Sequence, residues 1–85
     1  MNNIKEKLNT FILERNQIAC VTCYDASFSK ILNDIEIDIV LVGDSLGMVI
    51  QGKKDTHQVT MDNIIYHVSC VAENKSKYLL MADMP

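Results

Sequence analysis

Residues 37–42 read Ile-Asp-Ile-Val-Leu-Val, and residues 43–45 read Gly-Asp-Ser. A run of β-branched and aliphatic residues broken by a single charge is typical of a strand that is buried on both faces. The glycine and the two polar residues that follow end the run. We therefore predict a strand over 37–42 in the interior of a covered sheet.

Upstream of this run, the pattern alternates between helix and strand. Residues 18–24 form a short β-rich run, and Asp25 follows it in a position suited to cap a helix rather than to act as a catalytic acid. Two segments carry apolar residues at helical spacing, and residues 15–17 end the first of them. These apolar residues are Ile4, Leu8, Phe11 and Ile12 in 4–14, then Phe28, Ile31, Leu32 and Ile35.

Downstream, residues 43–59 show no sustained period, so we predict a long loop, and a long loop in a compact domain is usually functional. Thr60 is placed to cap the next helix, with Asp62 in its first turn. Residues 78–82 form a third strand of the buried type. The helix between Thr60 and this third strand has an apolar stripe formed by Met61, Ile64, Ile65, Val68, Val71 and Ala72.

The element order is therefore a helix followed by β-α-β-loop-α-β, which predicts an α/β fold with a parallel sheet covered by helices. Because the last strand has no helix after it, we expect the opening of a larger domain. A (β/α)8 (TIM) barrel of about 250 residues would take three of its eight strands from this segment. Residues 1–85 would be its N-terminal part, with 1–17 as helix and linker and 18–85 as strands 1 to 3.

Charge and cysteine content exclude several classes of protein. Eight basic and eleven acidic residues, spread evenly, argue against binding to nucleic acid or to an anionic membrane. No export signal and no apolar stretch of about 18 residues is present, which favours a cytoplasmic protein. Three cysteines fit a reducing compartment, where we expect thiols that fill small apolar spaces. Cys20 and Cys23 would point to opposite faces of a strand, so they could not grip one zinc ion.

Two carboxylates follow successive strands, Asp44 after the second and Asp83 after the third. Neighbouring parallel strands end about 4.8 Å apart on one edge, where the active sites of α/β proteins collect. Two unpaired carboxylates there need a proton or a cation, and Mg²⁺ suits one or two protein carboxylates. Ser45 adds a hydroxyl, and the glycines at 43 and 47 would let a ligand approach the backbone. The alternative is that both aspartates only cap helices or make turns.

Other polar residues are weaker candidates. We expect His67 to be structural, because it lies beside the apolar stripe of its helix, and His57 to be solvated. Lys53 and Lys54 should face solvent, although a loop lysine over a substrate carboxylate stays open as an alternative. Neither the phosphate-binding loop motif nor the α/β-hydrolase serine motif occurs in the chain.

From about residue 18 to 85 the chain resembles the ketopantoate (3-methyl-2-oxobutanoate) hydroxymethyltransferase family, in order and with matching spacing. The stretch Val42-Gly43-Asp44-Ser45-Leu46-Gly47-Met48 is highly specific to it. The remaining matches are Val21-Thr22-Cys23-Tyr24-Asp25, Val40-Leu41, Gln51-Gly52, Val59-Thr60, Ile65-Tyr66-His67 and Ala82-Asp83-Met84-Pro85.

The resemblance implies a (β/α)8 barrel of the phosphoenolpyruvate/pyruvate type that assembles as a homo-oligomer. It implies transfer of a hydroxymethyl group from 5,10-methylenetetrahydrofolate to 3-methyl-2-oxobutanoate, through a magnesium-stabilised enolate, in pantothenate and coenzyme A synthesis. Asp44 and Asp83 match the family's Mg²⁺ ligands, and Asp44, Ser45 and Asp83 match positions that contact the keto acid. The family's general-base glutamate, a third acidic residue and a substrate-contacting lysine would lie beyond Pro85.

Departures from the family pattern are confined to two places. Lys54, Asp55, His57 and Gln58 stand where relatives usually have Asp, Ser, Leu and Pro, and Cys23 stands where they usually have Ala. The 85 residues alone lack the base, so we expect them to be inactive. Two alternatives stay open: a related magnesium-dependent 2-oxo acid lyase or hydrolase on the same barrel, and a non-catalytic remnant or interaction fragment.

Overall fold

The computed structural model describes residues 2–14, 17–73, 75 and 77–85. The described residues form helices and strands in the predicted order, with one short helix in addition. The predicted ends of the first helix at Arg15 and Asn16 lie outside the described residues. The elements are α1 (Asn2–Glu14), β1 (Cys20–Thr22), α2 (Ala26–Asp34), β2 (Ile39–Val42), α3 (Leu46–Val49), α4 (Met61–Ala72) and β3 (Leu79–Ala82).

The three strands form one parallel sheet in the order β1-β2-β3. Val40 in the middle strand pairs with Val21 on one side and Leu80 on the other. The single charge in the predicted strand, Asp38, precedes β2 and accepts a hydrogen bond from the Ala19 N–H at 2.8 Å. The predicted α/β fold with a parallel sheet is confirmed.

Both predicted helix caps are confirmed. The Asp25 carboxylate accepts a hydrogen bond from the Phe28 N–H at 2.8 Å and begins α2. Thr60 Oγ1 accepts from the Asn63 N–H, and Asn63 Oδ1 accepts in return from the Thr60 N–H, so α4 begins with a complete capping box. Each bond satisfies an N–H group that the first helical turn leaves without a partner.

Helix α3 corrects the prediction of a loop over 43–59. It is a single turn of four residues, which is too short for a helical period to show in the sequence. Leu46 is completely buried in the core, and this burial holds the turn in place. The rest of the segment, from residue 50 to 60, has no regular structure, as predicted.

The core lies between the sheet and its helices, because α4 packs on β2 and β3 and α2 packs on α4. Ser29 of α2 is fully buried there, and its hydroxyl contacts the carbonyl of Val71 and the hydroxyl of Tyr78. The hydrophobic members of the core are Cys23, Tyr24, Val40, Val42, Leu46, Val59, Ile64, Val71 and Tyr78.

Several residues in the outer strands and the helices are more exposed than predicted. Met81 and Ala82 in β3 are exposed, although this strand was expected to be buried, and all of β1 is exposed as well. The helices cover one face of the sheet, and β1 is an edge strand. Several residues of the predicted stripes are therefore exposed as well: Ile4, Leu8, Phe28, Ile31, Ile35, Met61 and Ile65. No helix in the described part of the chain is long and apolar enough to cross a membrane.

Candidate active site

The carboxyl ends of the three strands meet at one edge of the sheet. The Cys23 N–H donates to Leu41 O at 3.0 Å, and the Asp83 N–H donates to Val42 O at 3.1 Å, so the pairing continues beyond the strands. Asp83 therefore lies beside Gly43, and Asp44 and Ser45 follow directly. All three predicted site residues are partly buried at this edge. The structure brings these residues to one edge of the sheet, and their roles toward a metal and a substrate stay predictions.

The two glycines of the 43–47 segment are in contact with protein groups. A Cβ atom at Gly43 would lie 2.8 Å from Asp83 Oδ2, so the missing side chain leaves room for this carboxylate. A Cβ atom at Gly47 would lie 2.6 Å from the Val59 side chain and 3.3 Å from Asp55 O. Gly47 was expected to let a ligand approach. The structure instead fills its open side with the segment that precedes α4.

The donor set at the edge suits a hard cation. Asp44, Ser45 and Asp83 offer only oxygen atoms, which are the ligands that Mg²⁺ prefers. Among the described residues, no group of three or more His, Cys, Asp and Glu side chains could hold a metal ion. Two carboxylates agree with the one or two that magnesium usually takes from a protein, with water and substrate oxygens as its other ligands.

A chain of contacts connects Ser45 to α4. The Tyr24 hydroxyl is hydrogen bonded to Ser45 Oγ. His67 Nδ1 lies 2.7 Å from the backbone carbonyl oxygen of Tyr24, and the two rings meet edge to face. The structural role expected of His67 is thus confirmed. The link from Tyr24 to Ser45 was not predicted, because the two residues are 21 positions apart and no periodicity relates them.

The three cysteines are free thiols, and none of them is in a disulfide. Cys23 is buried in the core, and burial raises the pKa of its thiol. The Sγ–H group donates weakly to the carbonyl of Asp25, at 3.4 Å. Cys23 therefore fills apolar space, as expected. Cys20 was expected to do the same and does not, because it lies on the exposed edge strand β1.

The segment that departs from the family pattern is exposed. His57 is solvated as predicted, and its ring nitrogen lies 3.6 Å from the Asp55 carboxylate. That carboxylate also accepts the His57 backbone N–H at 3.1 Å, which makes a local turn. Lys53 and Lys54 face solvent.

One groove among the described residues lies near the candidate site, and a larger one lies at the opposite end of the strands. A groove of about 360 Å³ runs from Tyr24 along β1 to the end of α3, and its walls are mainly apolar. The larger groove, of about 530 Å³, lies between α1 and the residues that precede β2 and β3. That position is at the amino ends of the strands, so the larger groove is remote from Asp44 and Asp83.

The model of the ketopantoate hydroxymethyltransferase family matches residues 3–85, which is nearly the whole chain. The chain belongs to this family. The resemblance first seen in the motifs around Asp44 and Asp83 is thereby confirmed over the full described fold.

Curated relatives of the family agree. A 3-methyl-2-oxobutanoate hydroxymethyltransferase of Chromohalobacter salexigens is 49% identical over 79 residues, which are 93% of this chain and 30% of that protein. Proteins of the same name from Nitrosomonas europaea and Nitrosospira multiformis are 54% and 55% identical over 69 residues, 81% of this chain and 26% of each relative. The chain therefore spans less than a third of the length of these relatives.

Proposed function

We propose that the whole protein containing this chain transfers a hydroxymethyl group from 5,10-methylenetetrahydrofolate to 3-methyl-2-oxobutanoate, in pantothenate synthesis. One observation carries the proposal: Asp44, Ser45 and Asp83 share the carboxyl edge of a parallel sheet in a chain of the hydroxymethyltransferase family. The relatives bear the name 3-methyl-2-oxobutanoate hydroxymethyltransferase. The folate co-substrate follows from the resemblance.

In this proposal, Asp44 and Asp83 hold a magnesium ion, and Ser45 contacts the keto acid. Bound Mg²⁺ would supply Lewis acidity that polarises the 2-oxo group and so eases loss of a proton from C3. The carboxylate of Asp83 lies over the open side of Gly43, where a Cβ atom would come within 2.8 Å of its Oδ2. The hydroxyl of Ser45 can donate to a substrate carboxylate oxygen when the Tyr24 hydroxyl is the donor of the bond between them.

Proton removal from C3 needs a base that the described residues at the edge do not offer. The hydroxyl of Tyr24 interacts with Ser45, and Asp25 caps α2. Asp44 and Asp83 are assigned to the cation. The resemblance places a glutamate base beyond Pro85, so we assign this step to another part of the whole protein.

We further propose that the three strands belong to a (β/α)8 barrel and that the whole protein is a homo-oligomer. The support for the barrel is the open side of the sheet: β1 is an edge strand with every residue exposed, and Met81 and Ala82 of β3 are uncovered. In a closed barrel, a further strand would pair with β1 and satisfy its free backbone groups. The homo-oligomer rests on the resemblance.

Replacing Asp83 by Asn in the whole protein tests the proposed site, because it removes one anionic ligand and keeps the shape. We expect most of the transfer activity to be lost and the magnesium requirement to rise. Solvent exchange of the C3 proton of 3-methyl-2-oxobutanoate without folate reports proton removal separately from one-carbon transfer, and it should slow to a similar degree. Asp34→Asn, an exposed carboxylate in the last turn of α2, is the control.

An Asp83→Asn protein that exchanges the proton at the wild-type rate, with an unchanged magnesium requirement, would show that Asp83 only shapes the turn after β3. A whole protein that forms no 2-dehydropantoate from the two substrates would refute the proposed reaction itself.

A further inference from the structure

We propose that Tyr24 is a positioning residue that holds the hydroxyl of Ser45 toward the carboxylate of the 2-oxo acid, and that His67 holds Tyr24 in place. This inference rests on the proposed function, because it concerns how the same substrate is oriented. Neither Tyr24 nor His67 is assigned to contact the substrate or the cation.

Ser45 immediately precedes α3, and its side chain makes no cap hydrogen bond. A capping serine normally has an extended backbone, whereas the backbone of Ser45 is already helical, at φ −57° and ψ −15°. Its hydroxyl is therefore not used by the first turn of α3, and it is hydrogen bonded to the hydroxyl of Tyr24. This contact holds the Ser45 hydroxyl at the edge of the sheet.

The direction of this hydrogen bond determines what Ser45 can do. A phenol is a stronger hydrogen-bond donor than an aliphatic alcohol, so we assign Tyr24 as the donor and Ser45 Oγ as the acceptor. The hydroxyl proton of Ser45 is then free to be donated. An oxygen of the substrate carboxylate is the acceptor that this proton suits, because hydrogen bonds to charged groups are stronger than neutral ones.

Tyr24 is itself held by α4. The backbone oxygen of Tyr24 can only accept, so His67 Nδ1, at 2.7 Å, carries the proton of this bond. The ring of His67 meets the ring of Tyr24 edge to face, at 6.4 Å between centroids, and the ring of Tyr66 at 5.2 Å. Tyr24 is 9% exposed, so both its backbone and its ring are fixed by the core. The elements β1 and α4 together therefore set the position of the serine after β2.

Kinetics of the whole protein test this role. Removing the phenol group with Tyr24→Phe should raise KM for 3-methyl-2-oxobutanoate about 3- to 10-fold, the effect of one hydrogen bond, and change kcat less. The dissociation constant of the keto acid with magnesium present, measured by calorimetry, should rise by the same factor. Tyr66→Phe is the matched control, because it removes the same hydroxyl group from an exposed tyrosine on α4.

A double-mutant cycle separates positioning from simple packing. If Tyr24 acts through Ser45, then Tyr24→Phe should have little further effect on KM in a Ser45→Ala protein. His67→Asn should keep KM near the wild-type value, because its amide can still donate to the Tyr24 carbonyl, whereas His67→Leu should raise KM as Tyr24→Phe does.

Additive effects of Tyr24→Phe and Ser45→Ala, or a loss of thermal stability with unchanged KM, would overturn the positioning role. The proposed function would stand in that case, because the wild-type protein would still form 2-dehydropantoate. A wild-type protein that neither binds the keto acid nor forms this product would overturn both proposals.

Discussion

The backbone at Gly43 and the carboxylate of Asp83 are so close that a single methyl group would not fit between them. A Cβ atom at position 43 would lie 2.8 Å from Asp83 Oδ2. The obstructing atom is the end of a side chain and can turn away, so Gly43→Ala should leave the fold intact. Because the displaced carboxylate is a proposed ligand, we expect a magnesium affinity lower by about 10-fold, the usual effect of disturbing the support of a ligand. Metal titration of the whole protein measures it.

The matched comparison for Gly43→Ala is the same change in an Asp83→Asn background. In that background residue 83 no longer carries a negative charge, so the displacement of its side chain by Gly43→Ala should not lower the magnesium affinity further. An equal loss of affinity in both backgrounds would show that Gly43 acts on the site by another route than Asp83. A large fall in the unfolding temperature would contradict the premise that the side chain can turn away.

At the scale of the element, the capping box makes the beginning of α4 the best-defined helix start in the described chain. Thr60→Ala removes the acceptor for the Asn63 N–H and should destabilise the first turn by about 1 kcal/mol. Amide hydrogen exchange in that turn of the whole protein should then be about fivefold faster. The Thr60→Ser protein keeps the acceptor, so the amide hydrogens of this turn should exchange at the wild-type rate. Equal exchange in Thr60→Ala and the wild type would mean that the cap does not control fraying.

The sequence predicted those elements whose cause is local. The caps at Asp25 and Thr60 depend on side chains that bond the backbone three residues away, so the sequence contains both partners. Helix α3 depends on burying Leu46 against distant residues, which no local pattern reveals. For the same reason, the site aspartates could be placed by counting strands, whereas the bond from Tyr24 to Ser45 could not.

Exposure of the apolar surface is a property of the whole molecule that local patterns also miss. Phe28, Ile31 and Ile35 follow helical spacing, and yet each is more than half exposed. Spacing shows that a helix has an apolar face, and it does not show what covers that face. The uncovered side of the sheet and these helix residues agree with our proposal that further strands and helices complete the domain.

Stability of the whole protein should depend on pH through Cys23. Burial raises the pKa of this thiol in the folded state. Its contribution to stability is therefore complete below the ordinary thiol pKa of about 8.5 and is lost as pH rises through the folded value. Urea unfolding measures the free energy of unfolding at neutral and at alkaline pH. This free energy should fall less with rising pH in the Cys23→Ala protein than in the wild type.

Cys20→Ala is the control for this pH dependence, because Cys20 lies on the exposed edge strand β1. The wild type and Cys20→Ala should lose stability in parallel between neutral and alkaline pH. If the Cys23→Ala protein loses as much stability as these two proteins, the buried thiol does not contribute to the loss of stability at alkaline pH.

The buried hydroxyl of Ser29 has a consequence for the order in which the chain is made. Its two partners, Val71 and Tyr78, come 42 and 49 residues later. A ribosome releases the chain from the N-terminus, so α2 emerges before either partner does. Until Val71 and Tyr78 emerge, packing α2 would bury a hydroxyl without its partners, at a cost of about 1–3 kcal/mol. Docking of α2 during synthesis should therefore wait for β3, and nascent chains that hold Tyr78 inside the ribosome should be less resistant to protease at α2 than chains in which Tyr78 has emerged.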